Sequence, residues 1–333
     1  MSRMKKYIVL TFCLILMALL CISCRGKQPN VAISKLTLTI RSSSMNTPFF
    51  LAGTVLEGII NYNTKLLSVN ESENVNGNDK IKALMDGSVD LAILSGPEAY
   101  MAFNGHPSYW ESPQNIRALF GIFPSIYTGF THIENIDSVS DLIGHRIALN
   151  TESSVSGDLL LYFLKLNGIN TDNTKIFRME QTEAERLFSE GYLDFIWYNM
   201  SYKYSFAKDF SSASPIHQYN VYPFTFKEKD KLREFLSVYP VFYTESLADM
   251  NYDQEAELDE RTFASSTFVA CSEALDEETA YTVTKAWFEN IDYIKIFFPS
   301  YNDKNAKVYF QRRIPVPLHP GAVRYFKESG FLN

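Results

Sequence analysis

The sequence predicts an α/β protein built from two similar halves. Residues Lys35–Arg41 alternate apolar and polar side chains, which is the period of a strand with one buried face. Thr47 and Pro48 then supply a capping side chain and a proline for the first turn of a helix. The same order of helix, glycine and strand opened by Asp occurs twice, at residues 81–92 and 184–196. Strands and helices that alternate in this way favour a sheet with helices on both faces.

The remaining elements follow from local patterning in chain order. Short apolar runs between turn residues predict strands, and longer amphipathic runs between helix start and stop signals predict helices. The predicted strands are 66–69, 89–94, 116–123, 146–149, 220–224 and 262–271. The predicted helices are 78–86, 138–143, 157–167, 227–239, 277–297, 302–310 and 321–329. The run Trp197–Asn199 is predicted to end a further strand at its carboxyl side.

The first residues have the pattern of a signal peptide. Three cations precede an apolar run at residues 7–22 that is short for a membrane span. Ser23 and Cys24 then resemble the end of a lipobox, whose cysteine is acylated and becomes the new N-terminus. We therefore expect residues 1–23 to be removed, Cys24 to carry a lipid and residues 24–34 to form a tether. An uncleaved membrane anchor is the alternative, and it also predicts a domain outside the cytoplasm.

Cysteine usage and charge narrow the class of protein. Of the four cysteines only Cys271 lies beyond the leader, so the mature chain can form no internal disulfide. The formal charge of −7 becomes −10 once the three leader cations are removed. An acidic, unclustered balance argues against nucleic acid and anionic membrane surfaces as partners. The 25 Phe and 20 Tyr predict an aromatic core, with a few rings left to line a cleft.

The usual signals of an enzyme or a metalloprotein do not occur in the sequence. There is no nucleophile elbow, dinucleotide-binding glycine motif, phosphate-binding loop or zinc-protease motif. The five histidines have neither metal-ligand spacing nor a cysteine partner. We therefore expect no cofactor and no metal, and we assign no catalytic residue. A catalytic carboxylate pair would not be recognisable from sequence, so an envelope hydrolase stays as the weakest alternative.

The C-terminal run Arg313–Glu328, RIPVPLHPGAVRYFKE, closely resembles the closing motif of the TAXI family, a class of TRAP-transporter binding proteins. The first strand with its serine loop, and residues 80–105, 116–124 with 141–146, and 272–279, resemble the same family in the same order. The resemblance implies a two-lobed periplasmic-binding-protein fold, similar to type II, with a hinge and a central cleft. It also implies capture of a small organic acid or amino acid and delivery to a membrane permease driven by an ion gradient.

The order of elements and the resemblance together divide the chain. We expect residues 35–124 and 263–333 to form lobe I and residues 125–262 to form lobe II, as one segment inserted into a lobe built from both chain ends. We expect the closing motif to be structural, because its three prolines fix an extended approach to the last helix. His319 is therefore not expected to bind solute.

Two serine-rich loops that precede helices are the candidate solute-binding segments. Backbone N–H groups at a helix start lack partners and favour an anion. The candidates in loops 42–47 and 151–157 are Ser43, Ser44, Asn46, Ser153, Ser154 and Ser156. We expect the two loops to face each other across the cleft. The alternative for each serine is a helix cap that never meets the solute.

Five further side chains complete the predicted site. Arg41 can offer a bidentate fork to a carboxylate, with an exposed surface arginine as the alternative. By resemblance, Asn78 follows the family's glycine loop, and Tyr127 substitutes for a nearby hydroxyl that the family has. Tyr198 and Asn199 are placed at a strand end, where α/β sheets hold their ligands. Both serine loops carry side chains where the family has glycines, which indicates a different solute.

Two other classes of function stay open. Binding lipoproteins of ABC importers have the same two-lobed architecture, although the closing motif argues against that assignment. A surface antigen or adhesin could keep the fold without binding a solute, and the altered serine loops keep this alternative open. The sequence names neither the solute nor the permease.

Overall fold

The computed structural model describes residues 35–43, 47–65, 67–72, 77–134, 136, 138–149, 154–201, 222–224, 228–246, 261–298 and 301–332. The strands in these ranges are β1 (Leu36–Arg41), β2 (Leu67–Ser72), β3 (Leu91–Ser95), β4 (Ile116–Thr131), β5 (Arg146–Leu149), β6 (Lys175–Arg178), β7 (Phe195–Ser201), β8 (Tyr222–Phe224), β9 (Tyr243–Ser246) and β10 (Arg261–Ser272).

The α-helices in the same ranges are α1 (Pro48–Asn63), α2 (Gly77–Met85), α3 (Gly96–Phe103), α4 (Val155–Leu166), α5 (Gln181–Ser189), α6 (Lys229–Val238), α7 (Glu277–Phe288), α8 (Ile291–Phe297), α9 (Asp303–Tyr309) and α10 (Pro320–Glu328). Among the residues that the structure describes, no helix is both long and apolar enough to span a membrane.

The ten described strands form one sheet in the order β2-β1-β3-β10-β4-β7-β5-β6, with β8 beside β4 and β9 beside β10. Pairing is parallel from β1 to β2 and β3, and from β5 to β6 and β7. It is antiparallel wherever β4 or β10 takes part. The two long strands therefore stand between two parallel groups. We call these groups, with the helices that cover them, the first half (β1–β3) and the second half (β5–β7).

Each half buries apolar side chains on both faces of the sheet. Along β3, Ile93 faces a cluster formed with α1, α7 and α10, whereas Leu94 faces α2 and α3. Along β7, Trp197 faces α4 and α6, whereas Ile196 faces α5. Successive strand residues point to opposite faces, so both faces need a cover. The prediction of an α/β sheet with helices on both faces is confirmed.

The long strand β4 bulges along its pairing with β10. Thr267 pairs with Phe123, but the next residue, Phe268, pairs with Gly121, which leaves Ile122 as the extra residue. A bulge bends the strand and increases its local twist. Gly121 is needed at this point because the backbone carbonyl of Tyr309 lies where a side chain would stand.

The closing motif packs on β4 through backbone hydrogen bonds. Ala118 N donates to Pro317 O at 2.9 Å, and His319 N donates to Ala118 O at 2.8 Å. His319 is 2% exposed, and its Nδ1 accepts a hydrogen bond from Gly321 N at 3.2 Å as the cap of α10. The motif therefore seats the last helix on the sheet, as the structural interpretation predicts.

Several predicted boundaries are wrong. The predicted helix 277–297 is two helices, α7 and α8, because the Asn290 side chain donates to Ala286 O at 2.7 Å and competes with the backbone for that carbonyl. The predicted strand 116–123 continues to Thr131, since β7 and β8 extend its pairing. The predicted helix 138–143 is a four-residue 3-10 helix at Val139–Leu142. Strands β6 (KIFR) and β9 (YTES) were not predicted, because neither contains the run of apolar residues that marks β5 (RIAL).

Candidate functional site

The carboxyl end of β3 leads directly into a helix. Ser95 is the last residue of β3 and the cap position of α3. Pro97 lies in the first turn, and Glu98 Oε2 accepts a hydrogen bond from Ser95 N at 3.0 Å. A serine followed three residues later by glutamate, with proline in the first turn, is a strong helix start. The N-terminus of α3 therefore lies at the edge where the parallel strands of the first half end.

Thr267 of β10 lies directly opposite Ser95 in the antiparallel pairing. Directly opposed side chains lie on the same face of a sheet. Both residues are buried, with 3% of Ser95 and 0% of Thr267 exposed. Neither Ser95 Oγ nor Thr267 Oγ1 has a hydrogen-bond partner among the described residues. An unsatisfied buried polar group costs about 1–3 kcal/mol, so two on one face require an explanation.

A buried ammonium group lies beside this strand end. Lys80 of α2 is 4% exposed, and its Nζ donates to Ile93 O at 2.9 Å. Glu98 Oε2 is 3.8 Å from Nζ, too far for a hydrogen bond, and the centroid of the Phe49 ring is 5.7 Å away. A lysine ammonium has three N–H donors, and the carbonyl of Ile93 takes one. Lys80 is thus a buried charge with a weak ion pair.

Two phenylalanine side chains complete a closed circle of contacts around the carboxyl end of β3. The centroids of Phe49 and Phe123 are 6.2 Å apart with an interplanar angle of 84°, and Phe123 is the β4 partner of Thr267. Each residue of the circle contacts or pairs with the next. We call this group the β3-end cluster; its members are Phe49, Lys80, Ser95, Glu98, Phe123 and Thr267. They come from six elements and combine four polar side chains with two aromatic rings.

A second carboxylate lies near the β3-end cluster, in β2. Glu71 Oε1 accepts a hydrogen bond from the buried Ser42, and Glu71 Oε2 is buried without a partner in the described part of the chain. Burial raises the pKa of Glu71 to about 7, against the lowering effect of the Ser42 hydrogen bond. The charge of Glu57 raises this pKa further and that of Lys80 lowers it. The carboxylate lies over Gly53 of α1, where a Cβ would collide with it.

A different polar group lies where β4 and β10 enter the second half. Tyr127 OH is 3.2 Å from Ser156 Oγ and 3.5 Å from Ser265 Oγ. All three residues are buried, and the ring centroids of Phe242 and Phe263 lie 5.3 and 5.1 Å from that of Tyr127. We call these three hydroxyls the Tyr127 cluster. The structure thus brings together two of the predicted site residues, Tyr127 and Ser156.

Helix starts from the two halves converge on β10. Ser156, in the first turn of α4, meets Ser265 through the hydroxyl of Tyr127. Gly96, the first residue of α3, packs on the same strand, since a Cβ there would lie 3.1 Å from Ser266 Oγ and 3.4 Å from Ser265 Cβ. One helix N-terminus from each half therefore approaches Ser265, α3 directly and α4 through the hydroxyl of Tyr127.

A hydrogen bond joins the two halves near this point. Tyr109, which lies between α3 and β4, donates its hydroxyl to Asp158 Oδ2 of α4 at 2.5 Å. Arg178 Nη2 donates to the other oxygen of Asp158 at 2.9 Å. Burial and the bond to Asp158 raise the pKa of Tyr109, so the phenol keeps its proton and stays a donor.

The first serine loop is described only in part. Thr47 caps α1 as predicted, its hydroxyl accepting a hydrogen bond from Phe50 N at 3.2 Å. Arg41 is the last residue of β1, and both Arg41 and Ser43 are half-buried. Their contacts with a solute stay predictions. Ser44 and Asn46 lie outside the described residues.

The second serine loop is shorter than predicted. Ser154 is the cap of α4, and its Oγ accepts a hydrogen bond from Gly157 N at 3.3 Å. The helix therefore begins at Val155, and the prediction that Ser156 lies in the loop is wrong because the cap precedes it by two residues. Ser153 lies outside the described residues. Ser154 thus has the helix-cap role that was the alternative to solute binding.

The other predicted residues have backbone positions only. Asn78 lies in the first turn of α2, and its side chain is outside what the structure describes. The prediction that Trp197–Asn199 ends a strand is wrong, because β7 continues to Ser201 along β4. Tyr198 and Asn199 pair with Thr128 and Tyr127 inside that strand, and their side chains are also undescribed. Their roles stay predictions.

Sequence reasoning missed most of the β3-end cluster. The run Ser95-Gly96-Pro97-Glu98 is a readable signal, since it is a capping pattern placed directly after an apolar strand. No local pattern connects Thr267 with Ser95, because their pairing depends on how β10 inserts beside β3. A lysine in a helix is normally exposed, so the sequence gives no sign that Lys80 is buried.

Neither a metal-ligand cluster nor an exposed thiol accompanies these polar groups in the described part of the chain. Within the described ranges, no group of three or more His, Cys, Asp or Glu residues is placed to hold a metal ion. Cys271 is a free, buried cysteine, and burial raises the pKa of its thiol. A buried thiol with a raised pKa is a poor nucleophile.

Solved structures share this fold at low sequence identity. A chain from the study of glutathione import via GshT and the cystine ABC importer TcyBC of Streptococcus mutans matches with a TM-score of 0.51 at 11% identity, over 82% of this chain and 100% of that chain. The periplasmic aliphatic sulphonate binding protein SsuA from Escherichia coli gives a TM-score of 0.48 at 15% identity, over 88% and 79%. An ancestral arginine-binding protein bound to arginine gives 0.47 at 14%, over 80% and 98%.

These likenesses concern the fold alone. The match with a TM-score of 0.51 and the sheet order confirm the predicted two-lobed α/β fold of the periplasmic-binding-protein type. The sequence profile of the NMT1-like family matches residues 42–330, which is most of the chain. This protein therefore belongs to the NMT1-like family.

Proposed function

We propose that this protein is the extracytoplasmic solute-binding receptor of a TRAP transporter of the TAXI type. It captures a small organic anion or an amino acid between two lobes and delivers the solute to membrane permease subunits. The fold, the membership of the NMT1-like family and the closing motif at residues 313–328 support this proposal. Capture requires no cofactor and no catalytic residue.

One observation carries the proposal. The N-terminus of α3 packs on Ser265 and Ser266 of β10, and the N-terminus of α4 is linked to Ser265 of the same strand through the hydroxyl of Tyr127. Helix starts present unpaired N–H groups and the positive end of the helix dipole. A pair of them at the border between two lobes suits a clamp on a negatively charged group.

The same geometry suggests how the clamp moves. In this proposal lobe I is residues 35–124 and 263–333, and lobe II is residues 125–262. Strands β4 and β10 pass between these lobes, and their bulge at Ile122 lies next to the crossing. The hydrogen bond from Tyr109 to Asp158 then joins lobe I to lobe II and stabilises the closed form.

The N-terminal segment supplies the location. We propose that residues 1–23 are removed, that Cys24 carries the lipid and that residues 24–34 tether the domain to the membrane. Mass spectrometry of protein extracted from membranes tests this. The expected N-terminal peptide begins at an acylated Cys24, and Cys24→Ala should release the protein from the membrane fraction. An intact leader would instead support the uncleaved anchor.

Solute binding is tested on the purified mature chain. A bound solute stabilises the folded state by mass action, so the melting temperature should rise with solute concentration. A thermal-shift panel of carboxylates, amino acids and sugar acids, with mass spectrometry of any retained small molecule, is the measurement. A shift or a retained solute is expected. If neither is found, the antigen or adhesin alternative takes the place of the receptor.

The transporter class needs a separate test. Uptake is measured in membrane vesicles that contain the partner permease and this receptor. Uptake by a TRAP system should require the ion gradient and should not depend on ATP. Uptake that requires ATP and survives collapse of the gradient would assign the receptor to an ABC importer, the second candidate.

A further inference from the structure

We propose that Lys80, Ser95 and Thr267 form the subsite that holds an oxyanion of the solute, a carboxylate or a sulfonate. This inference rests on the proposed receptor function and deepens it by naming the chemistry of one end of the solute. None of the three residues belongs to the serine loops that the sequence singles out. They lie on the first half, at the carboxyl end of β3, within the β3-end cluster.

The two hydroxyls carry the first step. Ser95 and Thr267 are register partners, so their side chains stand on one face with their Cβ atoms about 5 Å apart. Both hydroxyl oxygens are buried and lack a partner among the described residues. An oxyanion has several lone pairs and can accept from two O–H donors at that spacing. Such an oxyanion would satisfy both groups at once.

Lys80 carries the second step. Its ammonium group is almost fully buried, but its one hydrogen bond in the described part of the chain goes to the carbonyl of Ile93. The nearest carboxylate oxygen, Glu98 Oε2, is 3.8 Å away and already accepts from Ser95 N. Buried charges are normally paired and fully hydrogen-bonded. A second anion beside Lys80 would supply the missing partner.

The surroundings favour the same ligand group. Helix α3 begins at Gly96, directly after Ser95, so its unpaired N–H groups and its dipole add to the attraction for an anion. The rings of Phe49 and Phe123 pack against each other beside these residues, and Phe123 is buried together with them. In a water-poor site, charge-assisted hydrogen bonds are stronger than at the surface. The rings also suit a solute whose oxyanion is attached to a hydrocarbon body.

The experiment compares four purified full-length variants with the unmodified protein. Thr267→Val removes the hydroxyl and keeps the shape, Thr267→Ser keeps a hydroxyl, and Lys80→Met removes the charge. Thr284→Val is the matched control, because Thr284 is equally buried but its hydroxyl donates to Ala280 O at 2.8 Å in α7. The probes are succinate, L-glutamate, ethanesulfonate and glucose, titrated by calorimetry. Any molecule found by native mass spectrometry on the purified protein joins them.

The expected result is binding of at least one anionic probe by the unmodified protein. Thr267→Val should weaken this binding about 10-fold and Lys80→Met about 30-fold or more, since lost hydrogen bonds to a charged group have effects of this size. Thr267→Ser and Thr284→Val should bind within about 2-fold of the unmodified protein. Comparison of succinate with ethanesulfonate decides between a carboxylate and a sulfonate.

Three results would overturn the inference, and they differ in what they leave standing. Anion binding that is unchanged in both Thr267→Val and Lys80→Met removes this subsite and leaves the receptor intact. Binding of glucose alone also leaves a receptor, but one whose solute has no oxyanion. Absence of any retained molecule and of any binding removes the receptor and the subsite together. If Lys80→Met does not fold, Thr267→Val and Thr267→Ser still decide the question.

Discussion

The two polar clusters of this protein differ in how their hydroxyls are satisfied. In the Tyr127 cluster, the hydroxyls of Ser156 and Ser265 both lie within hydrogen-bond reach of the Tyr127 hydroxyl. In the β3-end cluster, the hydroxyls of Ser95 and Thr267 are equally buried and lack partners in the described residues. Satisfied polar groups stabilise a fold, whereas unsatisfied ones oppose it and persist where a ligand completes them. The comparison therefore indicates a stabilising role for the Tyr127 cluster, and it agrees with our proposal that the β3-end cluster binds the solute.

The largest expected effect is a change with pH in the free energy of unfolding, caused by the Glu71 carboxylate near the β3-end cluster. The pKa of Glu71 rises from an ordinary 4.5 to about 7 in the folded protein. The folded state therefore holds a proton that the unfolded chain releases, so this contribution to stability is complete below about pH 4.5 and is lost as the pH rises to about 7. We expect a loss of about 1–3 kcal/mol over that range, the lower end allowing for solvent screening.

Urea unfolding at pH 4.5 and pH 7.5 measures this effect. Glu71→Gln should remove most of the difference between the two pH values, because the amide does not titrate. Glu234→Gln, on the exposed surface of α6, is the control and should keep the difference. A Glu71→Gln protein that loses as much stability as the unmodified protein would show that another group titrates in this range.

The next largest effect is expected from a substitution in the Tyr127 cluster. Tyr127→Phe removes the hydroxyl shared with Ser156 and Ser265 and leaves those two serines without it. We expect the free energy of unfolding to fall by about 1–2 kcal/mol, since buried donors and acceptors lose a partner. Chemical denaturation at pH 7 gives the value. An unchanged stability would mean that this cluster is no better satisfied than the β3-end cluster.

A smaller effect is expected at the link between the two halves. Tyr109→Phe removes the hydrogen bond to Asp158 and keeps the ring. The free energy of unfolding should fall by about 1 kcal/mol, and solute affinity should weaken about 3-fold because the closed form is less favoured. Calorimetric titration with the solute found in the panel measures the affinity. Equal affinity in both proteins would exclude Tyr109 from closure.

The smallest effect is expected at Thr267, and it sharpens the contrast with Tyr127. Thr267→Val removes a buried hydroxyl that has no partner in the described part of the chain. The stability of the solute-free protein should therefore change by less than about 0.5 kcal/mol or increase. Denaturation of the solute-free protein measures this. A loss comparable with that of Tyr127→Phe would show that the Thr267 hydroxyl is already satisfied without solute.

The parts of the fold that depend on neighbours in sequence were predictable. Thr47 and Ser154 are helix caps, and their roles follow from the residue type and its position before an apolar run. The alternation of strands and helices is also a local pattern, and it correctly predicted a sheet with helices on both faces. The break between α7 and α8 was missed because the competition of Asn290 for a carbonyl is a detail of side-chain geometry.

Only part of the candidate site was predictable from the sequence, namely Tyr127 and Ser156. Tyr127 and Ser156 were both predicted site residues, and their hydroxyls lie 3.2 Å apart. Tyr127 lies in the long strand β4 and Ser156 in the first turn of α4, so neither residue is in a loop. The β3-end cluster draws one residue from each of six elements, and the insertion of β10 between β3 and β4 brings them together. That insertion is a property of the whole sheet, so no local pattern in the sequence reports it.

A crystal structure of the protein with its retained or added solute tests the central claim most directly. The account predicts an oxyanion of the solute within about 3 Å of Lys80 Nζ and of the Thr267 hydroxyl, between the starts of α3 and α4. A solute bound elsewhere, with only ordered water beside Lys80, Ser95 and Thr267, would contradict it.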